Sequence, residues 1–216
     1  MLNQMRLNGT IVAVLIIEKR SAYVSLPNRQ RKEDMMNVIA AGRSMVIRSA
    51  TEKDLDRVLG IDQLSFPTPW THHCFKVTLK DIFLVIEQKE IMGYIVACLC
   101  DLGLSAEILR IAVHPDHRGK GIAKELIETS IRIFSKDNVE KVELRVNSAN
   151  RGAVKFYEKF GFKIKKIATF RADIADQDFH IFYVMKLKLR EPEEVKNWPL
   201  EKFCPEAAYY TVQLAG

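Results

Sequence analysis

The pattern of apolar and polar positions predicts a continuous series of strands and helices between residues 45 and 189. Alternating or short β-branched apolar runs are typical of strands, and apolar residues three and four positions apart are typical of helices. The predicted order is β, α, α, β, β, β, α, β, α, β, β. The predicted strands are Val46–Ser49, Ile82–Ile86, Tyr94–Cys100, Ala106–Val113, Lys141–Val146, Phe162–Phe170 and Phe179–Leu189. The predicted helices are Leu55–Asp62, Thr71–Leu79, Ile122–Phe134 and Asn150–Phe160.

The segments on either side of this series have no such regular pattern. Residues 1–44 contain one apolar run, Ile11–Ile17, that could form a strand, and then a polar stretch. Residues 190–216 show a possible strand only at Tyr209–Leu214. We therefore expect one domain at 45–189, an N-terminal extension at 1–44 and a C-terminal tail at 190–216.

The composition is that of a soluble globular protein, with 216 residues, 48% apolar and 28% charged. Apolar runs such as Ile11–Ile17 are much shorter than the about 20 residues of a membrane-spanning helix, so we expect no membrane association. The net charge of +6 permits an acidic or phosphorylated partner. Basic residues interleaved with stacking aromatic residues are not found, so no nucleic-acid partner is expected.

The four cysteines are too few and too scattered for a disulfide framework. Cys98 and Cys100 would share one face of a strand, and no second pair accompanies them, which favours buried free thiols over metal ligands. The features of a signal peptide do not occur in the right order at the N-terminus. We therefore expect a cytoplasmic, reduced protein without a metal site.

A short basic glycine loop, His117 to Gly121, lies between a predicted strand and an amphipathic helix. A helix N-terminus offers unpaired N–H groups and the positive end of the helix dipole, which suits a pyrophosphate. Gly119 and Gly121 would let an anion approach the backbone, and Arg118, Lys120 and Lys124 add positive charge. The spacings of a Walker loop and of a Rossmann fingerprint are both absent. These residues alone are equally compatible with an ordinary turn before a helix.

Two motifs together resemble the GNAT superfamily of N-acetyltransferases. Arg118-x-x-Gly121-x-Ala123, after Ile111-Ala112-Val113, is similar to the family's acetyl-CoA loop and cofactor strand. The segment Asn150–Phe162 resembles the family's motif N-x-x-A-x-x-x-Y-E-K-x-G-F. Their order and separation, and the element series from Met45 to Leu189, match the family's topology.

Within the superfamily, the chain looks closest to the branch of ribosomal-protein alanine and protein N-terminal acetyltransferases. The loop Phe66–Trp70, in which two prolines exclude a helix, resembles the substrate loop of that branch. The resemblance implies an α/β fold whose mixed, mostly antiparallel sheet is flanked by helices and splayed at the acetyl-CoA strands. It implies transfer of acetyl from acetyl-CoA to a protein amine, with the N-terminal α-amino group of a ribosomal protein or nascent chain preferred. A small-molecule amine acetyltransferase and a non-catalytic acyl-CoA sensor are the alternatives.

The resemblance also assigns site residues. Tyr157 matches the general acid that protonates the departing thiolate, and its position in an apolar helical stripe also fits a core tyrosine. Asn150 would contact the cofactor, cap its helix, or do both. Acceptor-binding residues would be Phe66, Pro67 and Trp70. Cofactor-binding residues would be Ile111, Ala112, Val113, Arg118, Gly119, Lys120, Gly121, Ile122, Ala123, Lys124 and Asn150.

The catalytic base is where the chain departs from its branch. Arg145 stands where the ribosomal-protein branch has a glutamate, and a guanidinium cannot act as a base. Glu107 matches the base glutamate of the histone acetyltransferase branch, and apolar neighbours would raise its pKa. It is equally compatible with a solvated carboxylate or one paired with Arg145 on the next strand. Glu143 is a second, weaker candidate for the base.

Overall fold

The computed structural model describes residues 38–39, 45–171 and 179–190. The possible strands at Ile11–Ile17 and Tyr209–Leu214 lie outside the described residues. In the described part of the chain, no helix combines the length and the apolar character needed to cross a membrane.

Eight strands of the described residues form one sheet in the order β1-β2-β3-β4-β5-β6-β8-β7. The neighbouring strands pair antiparallel except β5 and β6, which are parallel. The strands are β1 (Val38–Ile39), β2 (Val46–Ser49), β3 (Ile82–Glu87), β4 (Ile91–Cys100), β5 (Ser105–Val113), β6 (Lys141–Asn147), β7 (Lys163–Arg171) and β8 (Phe179–Lys188). The helices are α1 (Leu55–Gln63), α2 (His72–Thr78), α3 (Ile122–Lys136) and α4 (Arg151–Lys159).

This element order from β2 onward confirms the one predicted from sequence. The main difference is at β4, which begins at Ile91 rather than Tyr94, because pairing across the hairpin continues from Gly93 opposite Ile86 to Ile91 opposite Glu87. A side chain at Gly93 would stand 2.9 Å from the carbonyl oxygen of Ala112, so glycine allows β4 and β5 to lie this close. The N-terminal extension contributes β1, which pairs with β2.

Two hydrophobic layers cover the two faces of the sheet. Helices α3 and α4 pack on one face through residues such as Leu126, Phe134 and Tyr157. Helices α1 and α2 pack on the other face through residues such as Val58 and Phe75. Because successive side chains of a strand point to opposite faces, each strand residue belongs to one layer or the other.

The parallel pair β5–β6 is short, and the two strands then diverge. Their pairing runs from Ser105 opposite Lys141 to Ile108 opposite Leu144. Beyond this point β5 continues along β4 to Val113, and β6 continues along β8 to Asn147. The splay expected from the resemblance is therefore present, and it leaves an opening between the two faces of the sheet.

A β-bulge at Leu109 changes the direction of the side chains that follow it on β5. Val96 pairs with Arg110 and Ala97 with Ile108, so Leu109 is the extra residue. Ile108 packs in the α3/α4 layer, and Leu109 packs in the α1/α2 layer. The side chain of Arg110 also points toward α1, where it contacts Asp62. Without the bulge, strict alternation would direct Arg110 to the opposite face.

Candidate active site

The basic glycine loop connects the end of β5 to the start of α3. Gly119 and Gly121 have φ angles of 74° and 83°, in the left-handed region that favours glycine. Apart from the glycine itself and its neighbours along the chain, no heavy atom lies within 4 Å of the position that a Cβ would take at either residue, so the space beside the backbone is open. Helix α3 begins directly after Gly121 with its N–H groups toward this space. This combination fits a diphosphate, as the sequence predicts.

The predicted basic side chains are exposed, and each contacts an oxygen of the protein. The Nε of Arg118 donates to the carbonyl of Val113 at 3.1 Å, and its Nη2 donates to the Oγ of Ser65 at 3.2 Å. Lys120 donates to the carbonyl of Asp116 at 2.8 Å. Lys124 lies 3.7 Å from Glu128, one turn along α3. Arg118 therefore joins the end of β5 to the segment that precedes the loop Phe66–Trp70.

Tyr157 lies on α4 in the α3/α4 layer with 7% of its surface exposed. Its ring stands edge-on to that of Phe162, with 5.8 Å between the centroids. Burial raises the pKa of Tyr157 to about 12, so the hydroxyl keeps its proton at neutral pH. Asn150 caps α4, since its side chain accepts a hydrogen bond from the backbone of Ala153 at 3.0 Å. Tyr157 is therefore a core residue and Asn150 a helix cap, which are the two structural roles that the sequence analysis offered for them.

Glu107 faces the opposite side of the sheet from Tyr157, since its neighbours Ala106 and Ile108 pack in the α3/α4 layer. Its carboxylate lies 3.3 Å from the guanidinium of Arg145 on β6. The ion pair that the sequence offered as an alternative for Glu107 is therefore present. The apolar surroundings expected for Glu107 therefore include a cation. Glu143, directly opposite Glu107 on β6, pairs with Lys186 at 2.5 Å.

The loop Phe66–Trp70 lies over β5 and is held by a buried ion pair. Arg110 donates to both carboxylate oxygens of Asp62, at 2.6 and 2.9 Å. Its Nη2 also donates to the carbonyl of Thr68 at 3.0 Å. The guanidinium carbon stands 3.7 Å from the ring centroid of Phe66 and 5.2 Å from that of Trp70. Of the predicted acceptor-binding residues, Phe66 and Trp70 are half-buried here and Pro67 is exposed.

Asp62 is the centre of this arrangement and was missed as a site residue from sequence. It is completely buried, and it accepts hydrogen bonds from the Tyr94 hydroxyl and from the backbone N–H of Trp70, the latter at 2.7 Å. Burial, with the Asp62 carboxylate as the second cause, raises the pKa of Tyr94 well above its usual value. The available signal was an acidic residue in the apolar stripe of α1 and an arginine within the apolar strand β5.

Comparisons with known proteins agree with this geometry. Residues 55–162 match the acetyltransferase (GNAT) family. The chain is 30% identical over 151 residues to an N-alpha-acetyltransferase of Saccharolobus solfataricus, covering 62% of this chain and 90% of that protein. It is 26% identical over 117 residues to the ribosomal protein bS18-alanine N-acetyltransferase of Escherichia coli K12, covering 54% and 79%.

A solved structure gives the same result for the fold. The crystal structure of Ard1 from Thermoplasma volcanium superposes with a TM-score of 0.62 at 25% identity, covering 69% of this chain and all of that one. The predicted fold class and the predicted N-acetyltransferase activity are thereby confirmed. The chain belongs to the acetyltransferase (GNAT) family.

Proposed function

We propose that this N-acetyltransferase transfers the acetyl group of acetyl-CoA to the N-terminal α-amino group of a protein or peptide, such as a ribosomal protein or a nascent chain. The observation that carries the proposal is the position of the loop Phe66–Trp70, which Arg110 fixes against β5 beside the splay. The names of the relatives from S. solfataricus and E. coli support a protein N-terminus as the acceptor. Such acceptors are synthesised in the cytoplasm, which is the proposed location.

The chemistry of the acceptor also favours an α-amino group over a lysine side chain. An α-amino group has a pKa of about 7.7–8.0, whereas that of a lysine is about 10.4. At pH 7.5 the neutral, nucleophilic fraction is therefore about 200-fold larger for the α-amino group. A base with a modest proton affinity is enough for such an acceptor.

The loop at the start of α3 is the proposed site for the diphosphate of acetyl-CoA. Acetyl-CoA supplies an activated thioester, whose carbonyl carbon accepts the amine nitrogen and whose sulfur departs. Backbone N–H groups of Gly119 to Ile122 would bind the diphosphate, and Arg118, Lys120 and Lys124 would neutralise its charge. Backbone N–H groups of β5 at the splay, in Ile111–Val113, would stabilise negative charge on the carbonyl oxygen.

Proton transfer is assigned to two residues on opposite faces of the sheet. Glu107, on the α1/α2 face, would accept the proton of the attacking amine. Tyr157, on the α3/α4 face, would give its proton to the departing sulfur. The splay between β5 and β6 connects the two faces of the sheet. An amine and a thioester that enter from opposite faces would meet between Glu107 and Tyr157. With Glu107 as the base, the reaction does not require a glutamate at position 145, where this chain has arginine.

The test is mass spectrometry of three acceptor panels incubated with acetyl-CoA and the protein. The panels are peptides with free N-termini, the same peptides N-terminally blocked but with an internal lysine, and small-molecule amines. We expect acetylation of free N-termini only. Acetylation of small amines alone would overturn the proposal in favour of the small-molecule alternative, and binding of acetyl-CoA without any transfer would overturn it in favour of a sensor.

The assignment of the base is tested in the same assay with a matched pair of variants. Glu107→Gln and Glu143→Gln change directly opposed carboxylates on the same sheet face. Loss of a general base costs about 10²–10⁴-fold in rate, and we expect that loss for Glu107→Gln only. A loss confined to Glu143→Gln would move the assignment to Glu143.

A further inference from the structure

Three metal-ligating side chains come together on the α1/α2 face of the sheet, at the end opposite the glycine loop. Cys98 and Cys100 lie two residues apart on β4, and Glu107 on β5 is directly opposite Cys98. The two sulfur atoms are 3.6 Å apart, and one carboxylate oxygen lies with them within a mutual distance of 4.8 Å. Cys98 is 2% exposed and the Glu107 side chain 20% exposed, so the cluster is largely buried but still reached by solvent at the carboxylate.

The separation of the two sulfur atoms suits a shared metal ion. A tetrahedral Zn²⁺ with Zn–S bonds of about 2.3 Å separates two thiolate sulfurs by about 3.8 Å. The observed 3.6 Å is within a few tenths of an ångström of that value. A disulfide instead requires about 2.05 Å, and Cα atoms two residues apart on a strand are about 6.6 Å apart, near the upper limit for a disulfide.

The charges and ligand types also select a soft divalent cation. Two thiolates and a carboxylate carry three negative charges, and a divalent ion together with the Arg145 guanidinium, 3.3 Å from Glu107, balances them. A carboxylate has two oxygens, so it can bind a cation and a guanidinium at the same time. Thiolate ligands favour Zn²⁺ over Mg²⁺ or Ca²⁺.

We propose that Cys98, Cys100 and Glu107 form a binding site for Zn²⁺ or a similar soft divalent cation, with the fourth coordination position open. This differs from the sequence expectation of free thiols without a metal, which considered the two cysteines without Glu107. One consequence rests on the proposed function: a metal bound to Glu107 removes the proposed base, so the same ion inhibits acetyl transfer.

The test is titration of the full-length, reduced, metal-free protein with Co²⁺, which reports thiolate ligands through a near-ultraviolet charge-transfer band. We expect a band of two-thiolate intensity that Zn²⁺ abolishes by displacement. Cys98→Ser and Cys100→Ser should each halve the intensity, and the double variant should lose it. Cys74→Ser and Cys204→Ser are the controls and should leave the band unchanged. Absence of the band, or its persistence in the double variant, would overturn the site.

Glu107→Gln separates metal binding from catalysis. The two thiolates remain, so we expect the band to persist while Co²⁺ affinity falls by at least about tenfold. In acetylation assays, Zn²⁺ should inhibit the wild-type protein and have no effect on the Cys98→Ser/Cys100→Ser variant. If the band behaves as expected and Zn²⁺ does not inhibit, the metal site stands and the assignment of Glu107 as the base fails.

Discussion

Arg110 on β5 donates two hydrogen bonds to the completely buried carboxylate of Asp62 on α1. The same guanidinium bonds the carbonyl of Thr68 and packs on the ring of Phe66, so one side chain joins the sheet, the first helix and the acceptor loop. Asp62 in turn bonds the backbone of Trp70 at the end of that loop. The shape of the proposed acceptor site therefore depends on one buried ion pair.

Arg110→Lys should impair the acceptor site more than the cofactor site. Lysine keeps the charge but loses the two-pronged hydrogen bonds and the stacking on Phe66. We expect kcat/KM for a peptide acceptor to fall about 10- to 100-fold, mainly through a higher KM. A small displacement of groups that position a substrate reduces the rate by factors of this size. The Kd for acetyl-CoA, measured by calorimetry, should change less than about threefold. An unchanged KM for the peptide would contradict this role.

Asp62→Ala tests the same pair through stability. Removing one partner leaves a buried charge unpaired, so the free energy of unfolding should fall by about 3–5 kcal/mol in urea titrations. The control is Glu90→Ala, which removes the exposed ion pair with Arg57 and the contact with His117 at 3.4 Å, and it should cost about 1 kcal/mol or less. Equal losses of unfolding free energy in the two variants would show that the buried ion pair contributes no more to stability than the exposed one.

Tyr157→Phe should reduce turnover with little effect on the fold, because the buried ring is retained. We expect kcat to fall about 10²–10⁴-fold for loss of a general acid. Tyr183→Phe, which changes a tyrosine packed against the same layer, should leave kcat unchanged. Since the pKa of Tyr157 is raised to about 12, the wild-type rate should show no decline from its ionisation up to pH 10. A basic limb below pH 10 that disappears in Tyr157→Phe would contradict the assigned pKa.

Asp54 should make folding stability depend on acid pH. Hydrogen bonds from Arg48, at 2.8 and 2.9 Å, lower the pKa of Asp54 from 3.8 to about 2. A lowered pKa means that the stabilisation, about 2 kcal/mol, is complete above about pH 4 and is lost as pH falls toward 2. In urea titrations, the difference in unfolding free energy between wild type and Asp54→Asn should shrink over this range. Asp56→Asn, at an exposed position of α1, is the control and should show no such trend.

Gly121→Ala should weaken acetyl-CoA binding beyond its cost in stability. A Cβ at a φ of 83° is strained by about 1 kcal/mol, and it would also occupy the space proposed for the diphosphate. Gly103→Ala imposes the same kind of strain at a φ of 94°, between β4 and β5. Both variants should lose similar stability, and only Gly121→Ala should raise the Kd for acetyl-CoA. Equal Kd values for the two variants would contradict the assignment of the loop.

Local patterns were sufficient to predict the elements from β2 onward and the family. Apolar and polar residues alternate in Lys141–Val146, and apolar residues recur three and four positions apart after Gly121. Both patterns involve only residues that are close along the chain, so they predict a strand and a helix without knowledge of the fold. The capping of α4 by Asn150 and the hydrogen bonds between Thr51 and Asp54 were also predictable, since each joins residues three positions apart. The glycine loop and the Asn150–Phe162 segment are contiguous, so the resemblance was visible in the sequence.

The tertiary structure decided the relationships between distant residues. Alternation alone would place Arg110 on the face opposite Asp62, and only the bulge at Leu109 brings the two together across 48 residues of chain. The pairing of Glu107 with Arg145 and its approach to Cys98 likewise depend on the register of three strands. Register is fixed by packing of the whole sheet between its two helical layers, a property that no single segment of the sequence contains.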